Sequence, residues 1–209
     1  GLLQLFRQAS YLGITATPYA NIFINPDSVD EMTGDDLFPR DFIYTLSPPT
    51  NYIGAEDIFG GDEQSPAKYK DALKSIYAKE MDAFFPFNHK KEHAVTELPP
   101  SMIEAMAYFL LATGIRNIRG DANSHHSMMI HTSRFTNVQD QIRDLAGEWI
   151  IRVRSDLQNY ASLSESESEK ISSIAYLKAV WEKHELSSKA GKLNNPMPWH
   201  QFLTQHLYK

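Results

Sequence analysis

The chain has 209 residues, of which 42% are hydrophobic, and its formal net charge is −6. These values are typical of a globular protein with one sizeable core or two small lobes. No apolar run approaches the roughly 18 residues that span a bilayer, and the N-terminal residues lack a signal-peptide pattern, so we expect a cytoplasmic location and no membrane partner. The lack of cysteine excludes disulfides and thiolate metal sites, and the acidic charge argues against a dedicated nucleic-acid-binding module.

The first predicted element is a short buried strand at residues 11–15. Its apolar run ends in small hydroxyl residues and a proline, a pattern typical of a strand that stops at an exposed turn. This candidate motif consists of Thr15, Ala16, Thr17 and Pro18. A second short strand is predicted at residues 42–46, and the stretch between the two strands is predicted to be loop.

Apolar residues at helical spacing predict at least five helices in the rest of the chain. The first is expected to begin at Ser65 and Pro66 and to stop before Pro86, with a stripe formed by Tyr69, Leu73, Ile76, Tyr77 and Phe84. Ser101 and Glu104 have the spacing of a capping box for a second helix, which Gly120 ends. Two later stripes, from Ile171 to Trp181 and from Trp199 onward, predict further helices.

A third strand is predicted at residues 128–132, directly before a long helix that a capping box of Thr136 and Gln139 would open. The strand end brings hydroxyl groups and a guanidinium to the positive end of that helix, and this arrangement suits a phosphate group. The candidate phosphate-binding residues are Ser133, Arg134, Thr136 and Asn137.

Four segments of the sequence resemble the Z1 domain family. They are residues 11–24 (YLGITATPYANIFI), 36–43 (DLFPRDFI), 52–54 (YIG) and 127–136 (SMMIHTSRFT). The family is one to which endonuclease activity has been attributed, and it is associated with superfamily-two helicase-like ATPases in bacterial and phage restriction or defence genes. The resemblance covers most of residues 1–160 and fades after that.

This resemblance implies a central fragment of a helicase-like, DNA-acting ATPase. Residues 15–18 would couple the nucleotide site to DNA, and Ser133, Arg134, Thr136 and Asn137 would contact the DNA backbone. Family members carry a phosphate-binding loop before the coupling motif and two helicase motifs after this region, and the chain contains none of the three. We therefore expect no ATP hydrolysis and no cofactor in this fragment; ATP and Mg²⁺ belong to the whole protein, and DNA and the other lobes of the polypeptide are its partners.

The predicted fold class is a helix-rich α/β arrangement with partial RecA-like elements, about three short strands and at least five helices. Residues 1–64 are expected to form the end of a first RecA-like lobe with the coupling motif. Residues 65–120 are expected to form a helical connecting region, and residues 121–209 the start of a second lobe with a helical extension.

Two other functions stay open. A metal-dependent endonuclease would need an acidic cluster such as Asp35, Asp36 and Asp41, since no Asp/Glu-x-Lys triplet occurs in the chain. A protein-interaction scaffold would use an exposed apolar patch in the helical middle, residues 66–119. Two histidine groups have metal-like spacing but are better interpreted as loop or core residues: His89 and His93 with Glu92, and His125, His126 and His131 with Asp121.

Overall fold

The computed structural model describes residues 5–8, 10, 12–17, 29–30, 34–35, 42–61, 66–121, 123–191 and 195–207. The chain divides into two compact units, Gly1–Leu73 and Lys74–Lys209. The boundaries predicted at residues 64 and 120 stay a prediction. None of the described helices is long and apolar enough to cross a membrane.

The first unit has little regular structure in its described residues. Strands β1 (Val29–Asp30) and β2 (Gly34–Asp35) pair antiparallel, with Val29 opposite Asp35. Helix α1 (Ala55–Phe59) begins where the Asp57 carboxylate accepts a hydrogen bond of 3.0 Å from the Gly54 N–H, and a 3₁₀ turn follows at Lys70–Ala72. None of the described side chains of this unit is buried, so its described part contains no core.

The second unit is a helical bundle. Its long helices are α3 (Pro100–Arg116), α4 (Thr136–Tyr160) and α6 (Ser172–Lys183). The shorter ones are α2 (Ala78–Phe84), α5 (Glu165–Ser168), α7 (Leu186–Ala190) and α8 (Trp199–Phe202), with π-helical turns at Asn117–Asp121 and Leu203–Leu207.

Two hydrophobic clusters form the core of this unit, and α4 contributes to both. Its N-terminal half packs with the chain before α3, where Val138 and Ile142 join Phe85, Val95 and Leu98. Its C-terminal half packs with α3, α6, α7 and α8 in a larger cluster built on Leu111, Val153, Leu157, Ile174, Leu177, Trp181 and Phe202. Both halves of α4 are therefore anchored in the core.

The α/β prediction with RecA-like strands is wrong. Residues 12–15, 42–46 and 128–132 are not strands, and most of their apolar side chains are exposed, with Ile14 92% and Met129 88% exposed. A strand needs a neighbouring strand to accept its backbone hydrogen bonds. Within the described residues the only such ladder joins β1 and β2.

The helices that pack against each other follow the predictions, and the others do not. The stripes on α3, α4 and α6 are buried, and Gly120 has the positive φ of 99° expected where the α3 segment ends. The helix predicted from Pro66 is instead a 3₁₀ turn followed by α2, and Leu73, Ile76 and Tyr77 are exposed. An apolar stripe does not hold a helix together unless another element covers it.

The predicted capping box of Ser101 and Glu104 is also wrong. The Ser101 N–H donates to the Glu80 carboxylate at 2.8 Å, and Pro99 occupies the N-cap of α3. Glu104 instead reaches α6, where it accepts hydrogen bonds from Lys183 Nζ at 2.7 Å and from His184 Nε2 at 2.8 Å. These two bonds tie α3 to the end of α6, and the hydrogen bond from Lys183 lowers the pKa of the Glu104 carboxyl.

Two helical glycines predict opposite effects of the same substitution. A Cβ added to Gly114 on α3 would lie 2.7 Å from Cζ of Phe202, which is fully buried and stacked on Trp181, whereas a Cβ on Gly147 of α4 would meet nothing within 4 Å. We expect Gly147→Ala to raise the free energy of unfolding by about 1 kcal/mol through helix propensity. We expect Gly114→Ala to lower it by about 1 to 3 kcal/mol through overpacking. Urea unfolding monitored by circular dichroism measures both, and equal effects would contradict the packing of α8 on α3.

The hydrogen bonds that Glu104 accepts from Lys183 and His184 predict that the stability of the fold depends on pH. Because the pKa of Glu104 is lower in the folded than in the unfolded state, its contribution is present above about pH 4.3 and is lost as the pH falls through the folded-state pKa. Glu104→Gln should lower the free energy of unfolding by about 1 kcal/mol at pH 7, and the difference from wild type should shrink toward pH 3. Glu148→Gln, at an exposed position on α4, is the control and should change little at either pH. An effect of Glu104→Gln that does not vary with pH would contradict this assignment.

Candidate nucleic-acid interface

The candidate site lies where the segment between α2 and α3 crosses the N-terminus of α4. We call this segment, residues 86–98, the strap. Two of its apolar side chains, Val95 and Leu98, are buried against Val138 and Ile142 of α4. Hydrogen bonds also join it to residues just before α4 and in the first turns of α4.

His89 makes the first of these contacts. Its Nδ1 lies 2.8 Å from the Pro86 carbonyl oxygen, and its Nε2 lies 2.8 Å from Ser133 Oγ. A carbonyl only accepts, so Nδ1 carries a proton, and in the neutral ring Nε2 accepts from the Ser133 hydroxyl. The same Oγ accepts from the Phe135 N–H at 3.1 Å. Ser133 is buried, and its hydroxyl is committed to fixing the strap on the start of α4.

Two amide side chains of α4 continue the attachment along the strap. Asn137 Nδ2 donates to the Lys91 carbonyl at 2.8 Å. Gln141 accepts from the Val95 N–H at 2.9 Å and donates to the His93 carbonyl at 3.0 Å. The strap backbone is therefore hydrogen-bonded to α4 over about one helical turn.

Aromatic contacts fill the space between the strap and α4. The rings of His89 and Phe135 meet edge to face with centroids 5.7 Å apart, and those of His89 and His93 lie 5.4 Å apart. The guanidinium of Arg134 stands over the Phe135 ring, with Cζ 4.9 Å from its centroid. This contact orients Arg134 without neutralising it.

Arg134 is exposed, and no carboxylate in the described part of the chain pairs with it. Arg143, two turns further along α4, is different: it binds Asp140 at 2.7 Å and Asp144 at 2.8 Å, and the hydrogen bond to Asp144 raises its pKa. Of these two arginines near the start of α4, only Arg134 has its charge available for an anion.

The first turn of α4 also has free donors. Phe135 is its N-cap, and the Val138 and Gln139 N–H groups donate back to the Phe135 carbonyl. The N–H groups of Thr136 and Asn137 have no acceptor among the described residues, and both residues are exposed. Free N–H groups at the start of a helix are a common binding site for anions.

The strap brings two lysines to the start of α4. Lys90 and Lys91 are exposed, and the contacts of His89 with Ser133 and of Lys91 with Asn137 put their backbone beside the start of α4. The Nζ atom of Lys91 forms an ion pair with Oε1 of Glu92 at 3.6 Å. We call the group formed by Lys90, Lys91, Arg134 and the N–H groups of Thr136 and Asn137 the basic corner.

The four residues predicted from the sequence thus have different surroundings. Arg134 faces solvent, whereas the side chains of Ser133 and Asn137 bind the strap. Thr136 is not the N-cap, so its predicted capping box with Gln139 is wrong; Gln139 Nε2 donates to the Ser133 carbonyl at 2.6 Å. The lysines of the strap were missed because they lie more than 40 residues before Arg134, and only their adjacency in the sequence hinted at a basic site.

The coupling motif lies in the first unit. Thr15, Ala16 and Thr17 are exposed, and the Thr17 N–H donates to Thr15 Oγ1 at 3.1 Å. Pro18 lies outside the described residues. The motif follows an irregular segment and not the predicted strand.

The described residues contain no group of three or more side chains arranged to hold a metal ion. Nδ1 of His89 is hydrogen-bonded to the Pro86 carbonyl and Nε2 of His93 to the Phe84 carbonyl, so the spacing of these histidines with Glu92 does not produce a metal site. The side chains of Asp35, Asp36, Asp41 and Asp121 lie outside the described residues. The endonuclease alternative therefore stays a prediction.

Comparison with known proteins identifies a family. The family model named Z1 domain matches residues 101–209. No curated protein and no solved structure matches the chain. The match includes the α4 side of the basic corner and continues past residue 160, where the resemblance was expected to fade, but it does not include the coupling motif or the strap. Because the match covers more than half of its residues, the chain belongs to the Z1 domain family.

Proposed function

We propose that this chain holds the phosphate backbone of DNA at the basic corner, as one part of a larger helicase-like ATPase. The observation that carries the proposal is Arg134, an oriented and unneutralised guanidinium beside the free N–H groups of a 25-residue helix. Its setting would be a bacterial restriction or phage-defence system, as the family resemblance implies.

Charge supports a local phosphate contact. The chain carries a net charge of −6, so its surface as a whole repels DNA. At the basic corner, however, Lys90, Lys91 and Arg134 lie on two segments that the His89–Ser133 hydrogen bond joins, and Glu92 is the carboxylate that pairs with Lys91. Local positive charge of this kind would attract a phosphate group in spite of the acidic net charge.

The start of α4 adds directional donors to this charge. The aligned peptide dipoles of a helix produce roughly half a positive charge at its N-terminus. The N–H groups of Thr136 and Asn137 point out of that end and have no acceptor in the described structure. Together with a guanidinium they can bind two or three oxygens of one phosphate.

Rigidity makes this arrangement effective before any ligand arrives. The strap is fixed through His89, Asn137 and Gln141, and α4 is anchored in two hydrophobic clusters. Little conformational entropy is lost when a phosphate binds to groups that are already in place.

The chemistry of ATP hydrolysis would come from elsewhere in the protein. The sequence has no phosphate-binding loop, so ATP and Mg²⁺ would bind outside these 209 residues, and the fragment would be inactive alone. Under this proposal residues 15–18 keep the coupling role that the family resemblance implies, and the other lobes of the polypeptide are their partners.

Replacing Arg134 tests the proposal against a matched control. Arg134→Ala should weaken DNA binding several-fold at low salt, about equally for all sequences, and should reduce the slope of log K against log salt by roughly 1. Arg143→Ala removes the same charge at a nearby position on α4, but that charge is already paired, so its effect should be much smaller. Fluorescence anisotropy with labelled oligonucleotides over a salt series measures both.

Two results would contradict phosphate binding at this corner. One is an unchanged affinity and salt slope in Arg134→Ala. The other is an equal loss in the two variants, because it would mean that only the net charge of the protein matters.

A further inference from the structure

Phe87, near the start of the strap, is the most exposed large apolar side chain among the described residues. It is 95% exposed, although the adjacent Phe85 is buried in the core. A turn does not require an aromatic residue, since glycine, proline, asparagine, aspartate and serine are the residues that turns favour. Phe87 precedes Lys90 by three residues, so its exposed ring is available to a ligand that is bound at the basic corner.

The ring is presented by a fixed turn. The His89 N–H donates to the Pro86 carbonyl at 2.8 Å, so Phe87 and Asn88 occupy the two central positions of that turn. The same carbonyl accepts from the His89 ring, and the other nitrogen of that ring is bonded to Ser133. The backbone of Phe87 is therefore anchored to the residue that precedes Arg134.

The position of Phe87 fits a nucleotide whose phosphate is at the basic corner. Its Cα is at most about 7.6 Å from that of His89, because two residues separate by no more than twice the 3.8 Å spacing of adjacent Cα atoms. Phe87 has no hydrogen-bonding side-chain group, so it cannot recognise the edge of a base, but its face can stack on any base.

We propose that the basic corner and Phe87 form a binding site for single-stranded DNA, with one base stacked on the Phe87 ring. This inference rests on the proposed function and adds the strandedness of the ligand. In a duplex each base is already covered by its neighbours, whereas a single strand can place an unstacked base on an exposed ring while its phosphates bind nearby cations. The site then has no sequence preference beyond stacking strength.

The test compares Phe87→Ala with Phe87→Trp on three labelled ligands: an oligothymidylate, the same strand with abasic sites, and a duplex. We expect Phe87→Ala to lose about 5- to 150-fold in affinity for the oligothymidylate, as expected for one stacked base. Phe87→Trp should retain or exceed wild-type affinity. On the abasic strand and on the duplex, Phe87→Ala and the wild type should bind alike.

A control variant separates stacking from a general loss of apolar surface. Ile151 on α4 is 70% exposed and lies about 22 Å along the helix from Thr136, so Ile151→Ala should leave all three affinities unchanged. Because Phe87 is almost fully exposed, its replacement should not unfold the chain, and circular dichroism checks this.

Three outcomes would overturn the inference. Unchanged oligothymidylate binding in Phe87→Ala would rule out stacking of a base on the ring. An equal loss on the abasic strand would point to a disturbed strap, and an equal loss on the duplex would point to a wedge between base pairs. In each case Arg134→Ala still reports on the phosphate contact independently, so the proposed function can stand when the stacking inference fails.

Discussion

The hydrogen bond between His89 and Ser133 is the contact on which the candidate site depends. It joins two segments that are 44 residues apart in the sequence, at 2.8 Å, and the proton on Nδ1 is fixed by the Pro86 carbonyl. With this contact in place, the backbone of Lys90 and Lys91 lies beside the start of α4. Without it, the strap would keep its hydrogen bonds to Asn137 and Gln141 and the packing of Val95 and Leu98. Its first residues, and with them the lysines, would be held less closely to the start of α4.

Helix α4 transmits the stability of the bundle to this site. One half of the helix packs against the strap through Val138 and Ile142, and the other half packs into the larger cluster through Val153 and Leu157. The N-terminus of a helix anchored at both ends cannot fray easily, which keeps its free N–H groups oriented. The fold thus holds the proposed anion site in place on a chain whose overall charge is acidic.

The sequence predicted the helices that cover one another and failed where a contact between distant segments decides the structure. Ile142 and Ile174 lie on stripes that could be recognised by their spacing, and both are buried. Residues 11–15 read as a strand because of their composition, yet a strand also needs a partner, which no local pattern reveals. Arg134 could be predicted as a site residue from its position before a helix. Phe87 could not, because it is brought near Arg134 by the hydrogen bond between His89 and Ser133.

A phosphate of DNA bound at the start of α4, as proposed, would accept hydrogen bonds from the free N–H groups there. Amide NMR spectra recorded while oligothymidylate is added test this proposal most directly, since each N–H reports separately. We expect the Thr136 and Asn137 resonances to move furthest, and downfield, as expected for N–H groups that gain an anionic acceptor. Shifts confined to residues away from the strap and α4, with Thr136 and Asn137 unmoved at saturation, would contradict it.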